Sequence, residues 1–292
     1  MSAPAWETAV AAGAELGERP FWDGSGLSWV DINAGRLHRY RPGLGDEVVL
    51  ELPVPLGAAA PRQRGGYVLA TAAGFRLAGP DGKLEEGAIR PAGLNPDSRF
   101  NDGACDPAGR FWAGTVTSDV RPGAGALYRL DPDGSVTIML DKVTESNGLG
   151  WSPDGGTMYF IDSGEPEPRI RAFSFNLAAG EPGQSWDLVR FPGGGAVPDG
   201  LVVDHGGCLW VAMWGGAEVR RYAPDGALLA VLPVPVTQPT CPAFGGAGLD
   251  ELYLTSAWLG MTASQRAAEP LAGHVLRTRP GVRGDPALPF GG

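Results

Sequence analysis

Residues Asn101–Trp112 read "NDGACDPAGRFW": two oxygen-bearing side chains, a short apolar run, a turn and a second apolar run. The same spacing recurs in "ERPFWDGSGLSW" (Glu18–Trp29), "NGLGWSPDGGTMY" (Asn147–Tyr159) and "DGLVVDHGGCLW" (Asp199–Trp210). Five residues after the first position stand Asp23, Asp106, Ser152 and Asp204; eight after it stand Gly26, Gly109, Gly155 and Gly207. Two degenerate copies, "GAAAPRQRGGYV" from Gly57 and "PAFGGAGLDELY" from Pro242, raise the count to six. Each copy is followed by further short strand-like runs such as "GRLHRYRP" and "GALYRLDPDG". The turns built on Pro80, Pro132, Pro153 and Pro224, each followed by Asp-Gly, supply hairpin geometry. Four strands per unit at a spacing of roughly 40 to 50 residues predict an all-β, six-bladed β-propeller with four-stranded antiparallel blades.

The expectation is one such domain over residues 1–292. Its third blade should run through Asn101–Cys105, Phe111–Thr115, Ala126–Leu130 and Val136–Leu140. The sixth repeat is short at its C-terminal end, so "WETAV" (Trp6–Val10) is predicted to supply its outer strand and close the ring.

Composition fits this. A chain of 292 residues, 43% of them hydrophobic, can bury a large core. Its 46 glycines and 27 prolines punctuate the apolar runs rather than cluster. No apolar stretch reaches the ~18 residues of a membrane helix, and the N-terminus lacks the basic and apolar regions of a secretion signal, which predicts a soluble cytoplasmic protein with no membrane partner. The formal charge of −10, without a Lys/Arg cluster, argues against nucleic acid. Cys105, Cys208 and Cys241 lack metal-ligand spacing and read as reduced structural thiols.

In a propeller, equivalent inner-strand positions surround one channel. Glu18, Gly57, Asn101, Asn147, Asp199 and Pro242 should therefore ring one mouth of it, and four of the six carry oxygen-rich side chains. Taken singly, Asp199 in "VPDGL" also reads as a turn residue and Asn147 in "SNGLG" as a positive-φ asparagine. Their common phase favours a shared role. Carboxylates packed around a low-dielectric axis repel one another unless a cation lies between them. Glu18, Asn147 and Asp199 offer only oxygens, which suit a hard divalent ion and leave positions for water and substrate. His38, His205 and His274 show no paired metal spacing, and there is no nucleophile elbow. The run "DPDGSVTIMLDK" from Asp131 lacks the glycine and terminal glutamate positions of a calcium loop and reads as a hairpin turn.

The segments "LGERPFWD", "RFNDGACDPAGRFWAGT", "SNGLGWSPDGGTMYFIDS", "PDGLVVDHGGCLWVA" and "CPAFGG" together resemble the senescence marker protein/gluconolactonase/regucalcin family along nearly the whole chain. The resemblance implies a six-bladed propeller with one divalent cation in its central channel and hydrolysis of a sugar lactone to an aldonic acid. Calcium is the favoured ion, with Zn²⁺, Mn²⁺, Mg²⁺ and Fe²⁺ as alternatives. It also implies metal ligation by Glu18, Asn147 and Asp199, and substrate contacts from Arg99 and Asn101. Where the family often carries a substrate-holding glutamate after "WAGT", this chain has Asp119, a shorter acid in a short loop. Asp199 is the candidate general base.

Loops between second and third strands, including Thr117–Ala124, Gly164–Pro168, Trp214–Gly216 and Trp258–Ala272, should open on the face that bears the ring. Trp214 and Trp258 could stack on a sugar or serve in blade packing. Competing functional readings are a phosphotriesterase-type hydrolase and a non-catalytic propeller that binds calcium or a protein partner. The assembly expected is a monomer or weak homo-oligomer.

Overall fold

A computed structural model describes residues 5–193 and 195–292. Six antiparallel sheets are arranged in a ring. Their inner strands are Gly17–Trp22, Leu56–Pro61, Ser98–Cys105, Ser146–Trp151, Val197–Val203 and Pro239–Gly245, and each packs against the next until the sixth meets the first. This is the expected six-bladed β-propeller. The third blade follows the sequence reading closely, with strands Ser98–Cys105, Phe111–Thr117, Gly125–Leu130 and Val136–Val143.

The ring closes as predicted. Glu7–Val10 pairs antiparallel with Val275–Thr278 at the outer edge of the sixth blade, with Glu7 opposite Arg277. N-terminal and C-terminal segments therefore share one sheet. The second blade is the least regular: three strands are continuous, and its outer edge is formed by isolated bridges Ala78↔Leu84 and Phe75↔Ile89. The intervening "KLEEGAI" is charged and interrupted by glycine, which gives it little to pack as a regular strand.

The repeated turn has a physical basis. Asp106 is fully buried; its Oδ1 accepts the Ala108 and Arg110 amides at 2.9 and 3.1 Å, and its Oδ2 accepts Trp112 Nε1 at 3.0 Å. Asp204 repeats the arrangement with Gly206, Cys208 and Trp210. One carboxylate thus closes the turn and satisfies the indole of the second strand. In the Pro-Asp-Gly turns the aspartates likewise accept the amide two residues on, as Asp133 does from Ser135 at 2.9 Å.

The core lies between blades. Trp112 of the third blade meets Trp151 and Phe175 of the fourth edge to face at 5.8 Å, and Trp210 of the fifth meets Phe244 of the sixth at 5.9 Å. Since Trp112 is fully buried and anchors both a blade interface and a turn, Trp112→Ala is expected to destabilise the protein by about 3–5 kcal/mol. Denaturant unfolding measures this. A loss below about 1 kcal/mol would contradict the packing role assigned to the repeat tryptophan.

Candidate functional site

All six inner strands run in the same direction along the axis, so their first residues gather at one end and their last at the other. At the first end, a cavity of about 300 Å³ is lined by Glu18, Arg99, Asn101, Asn147 and Asp199, five of the six residues read from the sequence as metal- or substrate-binding. They are joined there by Leu16, Glu145, Ser163, Val197, Pro198, Trp214 and Leu259.

Local irregularity explains how strand residues can point into a channel. The pairing of inner strand to second strand slips between Glu18 and Phe21, between Ser146 and Leu149, and between Pro198 and Leu201. In the third blade Phe100 and Asp102 are paired with Thr115 and Gly114, leaving Asn101 as the extra residue. Each slip is a bulge, and bulges re-aim a side chain at the cost of one ladder position. Asn147 and Asp199 are both strand residues, and Asn147 is not among the described residues with a positive φ, so neither the turn reading of Asp199 nor the positive-φ reading of Asn147 holds.

The glycines that follow them serve close packing. A Cβ on Gly148 would lie 2.7 Å from the Asp199 carbonyl oxygen, and one on Gly200 would lie 2.5 Å from the Cys241 side chain. The fourth blade therefore approaches the fifth, and the fifth the sixth, through a glycine placed beside its polar ring residue.

A chain of hydrogen bonds fixes the polar side chains. Arg99 Nη1 donates to Asn101 Oδ1 at 2.6 Å, and Asn101 Nδ2 donates to Asn147 Oδ1 and to the Ser146 carbonyl, both at 2.9 Å. Asn147 Nδ2 donates to Ser163 Oγ at 2.9 Å, whose hydroxyl donates to the Pro198 carbonyl at 2.6 Å. The amide orientations follow from this chain: Asn147 uses both hydrogen-bonding ends, and its oxygen, which accepts from Asn101, has a second lone pair.

The carboxylates are in strained surroundings. Glu18 and Asp199 are 4% and 6% exposed. Burial, reinforced by the charge of Asp102, pushes Glu18 up from 4.5 to about 8, against the opposing Arg19 amide hydrogen bond. Asp199 is held well above the usual carboxylate range by burial first and then by the charges of Glu18, Glu145 and Asp102. Burial also raises Glu145, with the Arg99 cation opposing.

These shifts fix a pH dependence for the cation-free protein. Between about 4.5 and about 8 the folded chain keeps a proton on Glu18 that the unfolded chain gives up. Native protein then binds more protons than unfolded, so stability falls as pH rises through that window. Thermal unfolding of chelator-treated protein at pH 5 and pH 9 should show a lower midpoint at pH 9, with a smaller difference in Glu18→Gln. Equal differences in the two proteins would contradict it.

The donor set fits a hard divalent ion. Two buried carboxylates that repel one another and a carboxamide oxygen share one cavity, and a cation among them offsets both burial and repulsion. Among the described residues, no three His, Cys, Asp or Glu side chains converge as a metal-holding group. A cation held here would draw on the carboxamide of Asn147 as well as on the two carboxylates.

Other expectations place differently. Asp119 does not line the cavity: it is exposed, beside Arg121 at 3.1 Å, whose guanidinium also approaches Asp97 at 3.8 Å. A short acid held by a rim arginine does not reach inward. Trp214 and Leu259 do line the cavity, as expected of their loops, whereas Trp258 donates to the Gly13 carbonyl and carries Arg266 over its ring at 3.9 Å. Glu145 and Ser163 went unread in the sequence, because neither carries a motif and both reach the cavity from strand-end loops. Asp162, which accepts the Glu145 amide at 2.8 Å, is the local anchor for that corner.

Beneath the ring, Arg19, with a positive φ of 40°, places its guanidinium 3.7 Å from the buried Asp102 carboxylate. Arg19 also lines a larger cavity, about 620 Å³, formed by the far ends of the inner strands and by residues 285–289. That cavity is walled mainly by apolar side chains such as Phe21, Trp151 and Phe244, and has no convergent carboxylates. The convergent polar and acidic side chains line the smaller one. No described helix is long and apolar enough to cross a membrane, and the three cysteines are buried and unpaired.

Comparison with known proteins agrees with this architecture. The chain is 40% identical over 274 residues to a 6-deoxy-6-sulfogluconolactonase of Pseudomonas putida, covering 92% of each chain. It is 36% identical over 299 residues to regucalcin of Danio rerio, covering 100% of both. It also superposes on the crystal structure of a calcium-binding protein, regucalcin, from Agrobacterium tumefaciens with a TM-score of 0.91 at 28% identity, covering 99% of this chain and 97% of that one. The family model described as the SMP-30/gluconolactonase/LRE-like region matches residues 16–258, a span that contains every residue lining the smaller cavity except Leu259. With a matching propeller, a matching sequence span and full-length relatives, the chain belongs to the SMP-30/gluconolactonase/LRE-like family.

Proposed function

We propose that this protein is a divalent-cation-dependent lactonase that opens a sugar lactone, in the aldonolactone class, to the corresponding acid. The observation that carries the reading is the single cavity on which Glu18, Asn147, Asp199, Arg99 and Asn101 converge. A relative named as a sulfogluconolactonase at 40% identity supports the substrate class, and relatives named regucalcin support a cation.

In this reading Glu18, Asn147 and Asp199 hold the cation. When bound, it supplies Lewis-acid stabilisation of the negative charge that develops on the lactone carbonyl oxygen. Asp199, buried on the cavity wall, accepts the proton of the attacking water. The new bond joins the water oxygen to the carbonyl carbon; the bond broken joins that carbon to the ring oxygen, which takes up a proton as it leaves. Arg99, fixed by its hydrogen bond to Asn101 Oδ1, presents its remaining donors to substrate oxygens and orients the ring, while Asn101, whose amide hydrogens are both engaged, offers its oxygen as an acceptor. Trp214 offers an aromatic wall to the apolar face of the sugar.

The test is a panel of aldonolactones and a phosphotriester assayed on chelator-stripped protein with Ca²⁺, Zn²⁺, Mn²⁺, Mg²⁺ and Fe²⁺ in turn. Lactone hydrolysis that disappears on chelation and returns with one of these ions is the expected result. Tight cation binding without turnover would favour the non-catalytic reading, and preferential phosphotriester cleavage the phosphotriesterase reading.

A further inference from the structure

Glu145 lies on the wall of the smaller cavity, half-buried, and no hydrogen bond or ion pair engages its carboxylate among the described residues. Its backbone is held firmly. The Glu145 amide donates to Asp162 Oδ1 at 2.8 Å, its carbonyl accepts from the Ser163 amide at 3.0 Å, and it bridges to Val116. On the other side of Val116 its pairing partner is Arg99. Residues in register across a sheet send their side chains to the same face, so Glu145 and Arg99 project together toward the cavity. Arg99 spends one nitrogen on Asn101 Oδ1 and the Phe100 carbonyl. The positive charge of Arg99 would otherwise favour an anionic substituent, and a free carboxylate beside it cancels that preference.

Resting on the lactonase reading, we propose that Glu145 sets the charge of the substrate: it neutralises the Arg99 wall, accepts hydrogen bonds from sugar hydroxyls, and selects neutral polyhydroxylated lactones over lactones bearing a sulfonate or phosphate. This departs from the anionic substrate named for the Pseudomonas putida relative. A like charge facing a substrate anion is repelled strongly in a partly enclosed cavity.

The test compares a neutral hexono-δ-lactone with the same lactone carrying a 6-phosphate or 6-sulfonate, in the wild type, Glu145→Gln and Glu145→Gln/Arg99→Gln. In parallel, calorimetry titrates the corresponding cyclic ether, which lacks the ester, with and without a 6-phosphate. The wild type should prefer the neutral lactone. Glu145→Gln should raise kcat/KM for the anionic lactone relative to the neutral one by about tenfold or more, and the second substitution should reverse that gain. The ethers should show the same shift in affinity. A neutral-to-anionic ratio unchanged within about twofold, or a wild type that prefers the anion, would overturn the inference. If neither lactone turns over, the lactonase reading fails, and the ether titration still decides the role of Glu145: unchanged discrimination, or no binding of either ether, would refute it.

Discussion

Asp199→Asn is expected to lower kcat for lactone hydrolysis by about 10²- to 10⁴-fold at saturating cation, the range that a positioned general base contributes. The substitution keeps the side-chain shape and leaves an oxygen able to ligate. It removes the proton acceptor and one of the two buried carboxylates that line the cavity. Raising the cation concentration should therefore recover binding without recovering the rate. Saturation kinetics over a cation series measure this, with circular dichroism to verify the fold. A variant retaining more than about a third of the wild-type kcat would remove Asp199 from the proton-transfer role.

Glu18→Gln acts on a different step. Glu18 enters from the first blade, separated from Asp199 in the fifth by the sixth, and contributes the other carboxylate of the ring. Its loss should weaken cation affinity by about 100-fold or more, since disturbing even an outer partner of a ligand commonly costs about 10- to 100-fold. Calorimetric titration of the cation gives the affinity directly. Activity should be depressed at limiting cation and substantially restored in excess, the reverse of the Asp199→Asn pattern. Unaltered affinity would show that the cation lies elsewhere.

Much of this site was legible because propeller symmetry turns sequence phase into spatial proximity. Glu18, Asn101, Asn147 and Asp199 occupy the same offset before the Asp- or Ser-started turn, so the repeat that fixes the fold also fixes the ring. The outer strand from Trp6–Val10 was readable for a similar reason, as the missing member of an incomplete unit. Other features are products of three dimensions. Glu145 looks in sequence like a solvated charge, and only the bridge through Val116 brings it level with Arg99. Arg19 and Asp102 are adjacent to ring residues, but their pairing requires two blades separated by a third to meet at the axis.

Asp119 shows the converse. Its position after "WAGT" matches a family pattern, yet loop length and a neighbouring arginine determine where an acid ends up, and Arg121 keeps it at the rim. The second blade failed to give a regular fourth strand because charge and glycine in residues 83–89 outweighed the repeat's register. Local chemistry decides such positions, whereas the ring is decided by the architecture as a whole.

The proposed function requires one divalent ion shared by side chains from the first, fourth and fifth blades. Anomalous diffraction from crystals equilibrated with Mn²⁺ or Ca²⁺ addresses it most directly. The expected result is one strong peak in the cavity, at about 2.1–2.6 Å from oxygens of Glu18, Asn147 and Asp199. A peak bound by other residues, or a cavity without one at cation concentrations that support activity, would contradict it.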